Sequence, residues 1–143
     1  MALERTPFLE CADCLCLASR KAARAITRAY ERELRPYGLR ATQFSLLVML
    51  ELKGPQPLGA LARALGAERT TLTRNLALIE RQSLVETRPG EDARERILAI
   101  TPSGRRTLQK ALPAWRKAQA ELTSTIGAPL AQSLRRLARA SGS

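Results

Sequence analysis

The chain has 143 residues, with 24 lysines and arginines against 13 acidic residues, a formal charge of +11 and not one histidine. That balance is the footprint of a nucleic-acid binder, and the missing imidazole excludes Ser-His-Asp and Cys-His catalysis together with imidazole-rich zinc sites. Aromatic residues make up only 3% of the sequence, too few for stacking on single-stranded bases, so duplex DNA is favoured over RNA.

At the amino terminus, Met1 to Glu10 lacks the basic start and apolar core of a signal peptide, and no run of about 18 apolar residues exists to span a membrane. The expected location is the cytoplasm, with no membrane partner, and the length fits one domain. Cys11, Cys14 and Cys16 are all the cysteines in the chain. In that compartment stable disulfides are not expected. On an intact helix Cys16 points about 160° away from Cys14, so the three do not converge on one metal. Cys11 and Cys14 form a Cys-x-x-Cys pair suited to reversible oxidation, or to soft-metal capture with a further ligand. Inert packing as small apolar residues is the alternative for all three.

A first helix is expected from about Ala12 to Arg35. Leu15, Ala18, Ala22, Ala25, Ile26 and Ala29 form its apolar stripe, and Pro36 and Gly38 end it. A second, about Thr42 to Leu52, carries Phe44, Leu47, Val48 and Leu50 and stops at Gly54-Pro55. Two shorter patterns then meet at Gly66. Leu58, Leu61, Ala62 and Leu65 make one stripe, and Leu72, Leu76 and Ile79 the next, the plan of a helix-turn-helix. Opposite Leu72, Leu76 and Ile79 lie Thr70, Arg74, Ala77 and Arg81, flanked by Thr71 and Thr73. This face has no acid, with Glu68 and Glu80 expected nearer the packed side, so it can approach phosphates without like-charge repulsion.

Leu84 to Arg88 and Ile97 to Ile100 read as two strands around a charged, turn-rich tip, Pro89 to Arg96. Arg94 at that tip suits a narrow minor groove, and Asp92 can hold the tip by accepting hydrogen bonds. Thr101 is the expected N-cap of a long helix that begins at Pro102, runs to about Ile126 and is kinked at Pro113. A last helix, about Ala128 to Ala140, carries Leu130, Leu134 and Leu137 on one stripe. Apolar stripes on the terminal helices need a partner surface, and a second copy of the chain is the natural one. The acidic groups Glu31 with Glu33, and Glu91 with Asp92 and Glu95, alternate with arginines and read as solvated faces. No glycine-rich phosphate loop occurs, and neither an enzymatic activity nor a cofactor is expected.

Gly38-Leu39, Thr42-Gln43-Phe44, Leu46-Leu47, Leu58 to Leu84, Asp92 to Arg96 and Thr101-Pro102-Ser103-Gly104 together resemble the multiple-antibiotic-resistance regulator (MarR) family, from about Cys16 to the carboxyl end. The resemblance implies a mainly α fold with a small β-hairpin wing. Residues 37–101 would be a winged helix-turn-helix lobe, and 1–36 and 102–143 dimerisation helices. It further implies a homodimeric bacterial transcription regulator, usually a repressor, on a pseudo-palindromic operator. Half-sites would lie about 10 to 10.5 base pairs apart or a multiple of that.

Thr70, Thr71, Thr73 and Arg74 would face the major groove, Asp92 and Arg94 would form the wing motif, and Arg69 and Arg96 join this DNA-contacting set. Counting back from Thr27 and Tyr30, Cys16 takes the place of the reactive cysteine in the family's organic-hydroperoxide-sensing branch. Ala41 stands where that branch has a second tyrosine. The commoner signal in the family is a small aromatic or carboxylated effector held between the dimer helices and the DNA lobe. Arg24, Tyr37, Phe44 and Trp115 are the candidate pocket residues, offering apolar walls and a cationic anchor.

Overall fold

The computed structural model describes residues 6–92 and 94–141. Residues 1–5 of the segment read as lacking a signal peptide, Ala93 of the tip, and the last two residues of the terminal dimerisation segment therefore lie outside the described residues.

Thr6–Asp13 forms a 3-10 helix, followed by helix α1 (Leu15–Leu34) and a short 3-10 turn at Arg35–Tyr37. A single helix from Ala12 does not form. Cys14 has ψ 122°, an extended value, and its carbonyl accepts from Ala18 N at 3.0 Å, so it acts as the residue preceding α1. Gly38, with φ 71°, reverses the chain into α2 (Ala41–Lys53). The fully buried Gln43 caps that helix by accepting from Arg40 N at 2.9 Å.

Next come β1 (Gln56–Pro57), α3 (Leu58–Leu65), α4 (Arg69–Arg81), β2 (Val85–Pro89) and β3 (Arg96–Ile100). The strands form one antiparallel sheet in the order β1-β3-β2, with Gln56 opposite Leu98 and Val85 opposite Ile100. Strand β1 escapes sequence patterning because it is two residues long and contains a proline, a residue tolerated at a sheet edge. Leu46 and Leu47 from α2, Leu61 from α3, Ile79 from α4 and Leu98 from β3 meet fully buried in one core.

Helix α5 (Pro102–Ile126) continues through Pro113, whose missing N–H leaves the Gln109 carbonyl without its usual donor. Helix α6 (Ala128–Ser141) follows, with Ala131 buried. Helix α1 packs chiefly along α5, but residues 15–25 of α1 are all exposed, so its first half projects beyond the core. Leu15 is 85% exposed and Leu137 66%, and Leu130 and Leu134 are likewise uncovered in the single chain. Among the described residues no helix is long and apolar enough to cross a membrane.

Candidate nucleic-acid interface

The turn between α3 and α4 depends on Gly66, whose φ of 61° is left-handed and strained for a residue with a Cβ. Gly66 N donates to Arg63 O at 3.2 Å and Ala67 N to Ala62 O at 3.0 Å, which closes the end of α3. Helix α4 then buries Leu72, Leu76 and Ile79 and leaves Arg69, Thr70, Thr71, Thr73, Arg74, Ala77 and Arg81 exposed. Thr73 Oγ1 donates to Arg69 O at 2.8 Å, which commits its proton to the helix and leaves the oxygen able to accept. Glu80 is drawn off the outer face by the Thr87 hydroxyl, which donates to its Oε1. Glu68, expected on the packed side, is instead exposed at the residue preceding α4.

The hairpin reaches one residue closer to its tip on each strand than the pattern suggests, with Pro89 opposite Arg96, while Leu84 falls just before β2. At the tip Gly90 N donates to Glu95 O at 3.0 Å and Glu95 N to Asp92 O at 2.9 Å. Asp92 Oδ1 accepts from Arg94 N at 3.2 Å, a local turn that fixes the backbone from which Arg94 extends. Arg94 and Arg96 are both exposed. Between the wing, the start of α4 and the first turn of α3 lies a cleft of about 480 Å³, whose walls include Arg63, Arg69, Arg94 and Arg96. Arg63 escapes the sequence reading because it lies outside both the recognition helix and the wing.

The three cysteines are free and exposed. Cys11 sits in the 3-10 helix, Cys14 at the break and Cys16 in the first turn of α1. The break alters the relation between Cys11 and Cys14 expected of an intact helix, and Cys14 N donates to Cys11 O at 3.2 Å. Among the described residues no three cysteine or acidic side chains are placed to hold a metal ion. Tyr30 lies fourteen residues beyond Cys16 on α1, about 21 Å at the helical rise, so the two do not meet within one chain. The Tyr30 hydroxyl donates to Gln119 Oε1. Burial pushes its pKa above 10.0, opposed by the positive charge of Arg135.

Phe44 and Trp115 stack with ring centroids 6.2 Å apart and an interplanar angle of 11°. They line a cavity of about 270 Å³ with Tyr30, Ala41, Ser45 and Gln119. A neighbouring, more apolar cavity of about 440 Å³ shares Tyr30, Ala41 and Ser45 and reaches Thr71, Leu72 and Asn75 of α4. Arg24 and Tyr37 line neither. Arg24 lies on the projecting half of α1, and Tyr37 is exposed in the turn that reverses the chain, so the aromatic pair is assembled without the expected cationic anchor.

A profile of the MarR family matches residues 37–95. The chain is similar to the uncharacterized HTH-type transcriptional regulator YwoH of Bacillus subtilis, with 33% identity over 81 residues, 57% of this chain and 59% of that relative's length. It is also similar to the M. tuberculosis transcriptional regulator MosR in its crystal structure with DNA. That likeness has 43% identity and a TM-score of 0.79, and covers 90% of this chain and 96% of MosR. The overoxidized AbfR bound to DNA is 25% identical with a TM-score of 0.70, covering 93% of this chain and 98% of AbfR. The mostly helical architecture with a small antiparallel wing is thus the winged-helix fold of known regulators.

Proposed function

The chain belongs to the MarR family of transcription regulators, which are not enzymes, and on that premise we propose that it acts as a homodimer on a pseudo-palindromic duplex operator. In this reading residues 37–101 form the DNA-binding lobe, and 1–36 and 102–143 supply the dimer contacts. The carrying observation is the acid-free outer face of α4, with Thr70, Thr71, Thr73 and Arg74 exposed, set beside a wing tip whose Arg94 is anchored through Asp92. Arg69 and Arg96 flank the same surface. The dimer reading is supported by the leucines of α1 and α6 that a single chain leaves uncovered. It also has a geometric demand: both reading helices must meet successive major grooves, about one helical turn apart or a multiple of it.

The protein would work in the cytoplasm as a repressor that occludes a promoter until a signal changes the spacing of its two heads. A small aromatic or carboxylated effector is the favoured signal, because two neighbouring cavities share the walls Tyr30, Ala41 and Ser45, one reaching Trp115 on α5 and the other Asn75 on α4. A ligand there would touch both the helices that carry the dimer contacts and the helix that reads bases. The decisive experiment selects preferred duplexes from a random pool and tests whether the recovered sites are two-fold repeats. Recovery of no preferred sequence, with equal affinity for unrelated duplex at physiological salt, would favour an architectural DNA protein instead.

A second reading rests on the exposure of Cys11, Cys14 and Cys16. Oxidation or soft-metal capture at this cluster would act on the start of α1, within the proposed dimer segment. The similarity to AbfR, known in both overoxidized and reduced DNA-bound forms, supports oxidation as the signal. Binding to the selected duplex, compared for reduced protein, oxidised protein and a variant with all three cysteines changed to serine, separates the two signals.

A further inference from the structure

We propose that Arg63 of α3 holds a DNA backbone phosphate in the cleft between the recognition helix and the wing. The proposal rests on the reading of α4 and the wing as the DNA-contacting pair. With α4 in the major groove and the wing tip in the adjacent minor groove, the sugar–phosphate strand that separates those grooves has to pass between them. The space between them is the 480 Å³ cleft, bounded by the first turn of α3, the start of α4 and the root and tip of the wing.

Its charge is unbalanced in favour of an anion. Arg63, Arg69, Arg94 and Arg96 face two carboxylates, Asp92 and Glu95. Asp92 is engaged by Arg94 N at 3.2 Å. Glu95 folds across the hairpin, its Oε2 2.9 Å from where a Cβ on Gly90 would lie. None of the four guanidinium groups forms an ion pair with a described residue, whereas Arg88 pairs with Glu86, Arg105 with Glu51 and Lys117 with Glu33. Four unpaired cations around one cleft repel one another, and a bound polyanion relieves that repulsion.

Arg63 is the one of the four that is carried on α3. Its Nη1 lies 3.6 Å from the position a Cβ on Gly59 would occupy, so the side chain folds back over the first turn of α3. That turn carries backbone N–H groups without intrahelical acceptors and has no acidic residue. A guanidinium beside such N–H groups makes a two-component seat for one phosphate.

The test measures affinity of parent, Arg63→Ala and Arg63→Lys for a selected duplex and an unrelated one between about 50 and 200 mM salt. Arg63→Ala should lower affinity for both duplexes by a similar factor. It should also flatten the dependence of log K on log salt by about one for each copy of the chain bound. Arg63→Lys, which keeps the charge, should keep the slope. An unchanged slope in Arg63→Ala, or a loss confined to the selected duplex, would overturn the proposal. Failure of the parent to bind any duplex would instead overturn the DNA reading on which it stands.

Discussion

A Cβ on Gly104 would lie 2.1 Å from the carbonyl oxygen of Leu84. Helix α5 therefore begins in direct contact with the backbone that enters the wing. The same carbonyl accepts from Thr101 N at 3.1 Å, and Leu84 N donates to Ile79 O at 3.0 Å near the end of α4. Recognition helix, wing root and the long helix behind them are joined through one residue.

Gly104→Ala should destabilise the protein by about 1–3 kcal/mol, because a methyl group has no room and the clashing atom is backbone. A lower urea midpoint with an unchanged slope would register it. A midpoint equal to that of the parent would mean that α5 can slide away from Leu84 without loss.

Thr101 has two bonds at this junction: its hydroxyl donates to Ser83 O at 2.6 Å and accepts from Gly104 N at 2.9 Å. Thr101→Ala should cost about 1–2 kcal/mol, and Thr101→Ser should recover most of it. Thermal melts of the three proteins compare them directly.

Arg74→Ala should lose about 1–3 kcal/mol of operator binding and relax base preference, if its guanidinium grips a guanine. Arg94→Ala should weaken binding with less change in major-groove preference. Asp92→Ala should resemble Arg94→Ala through a loosened tip, while Asp92→Asn retains an acceptor oxygen for Arg94 N. Competition binding against a panel of single-base operator variants distinguishes the patterns.

Tyr30 sets a direction for alkaline stability. Its folded pKa is raised above 10.0 by burial, so well below that pH the phenol is neutral in both the folded and the unfolded chain. As pH climbs past 10 the unfolded chain releases its proton first, and stability falls until the folded phenol also ionises. Tyr30→Phe should start from lower stability, having lost the bond to Gln119, yet decline less steeply between about pH 9 and 11. Urea midpoints across that range give the comparison.

Helices α3 and α4 are legible in the sequence because Leu58 and Leu61, then Leu72, Leu76 and Ile79, repeat at the spacing their burial requires, and the wing strands lie within a residue of their expected bounds. The capping role of Thr101 is legible from its residue type and the Pro102 that follows it. Periodicity does not report which turn an outward residue sits on, so Arg24 and Tyr37 were grouped with Phe44 and Trp115 although only the latter two stack. Nor does it detect the extended backbone at Cys14, the two-residue β1, or Arg63, whose significance comes from the meeting in space of α3, α4 and the wing.

The space running from Tyr30 to Asn75 ties α4, the helix proposed to face the bases, to any guest that occupies that cavity. Thermodynamic reciprocity then binds the two events: a compound that reduces duplex affinity by a given factor must have its own affinity reduced by that same factor when duplex is present. An effector of the proposed kind would therefore be recognisable without following transcription, as the molecule whose dissociation constant rises on titration with the selected duplex.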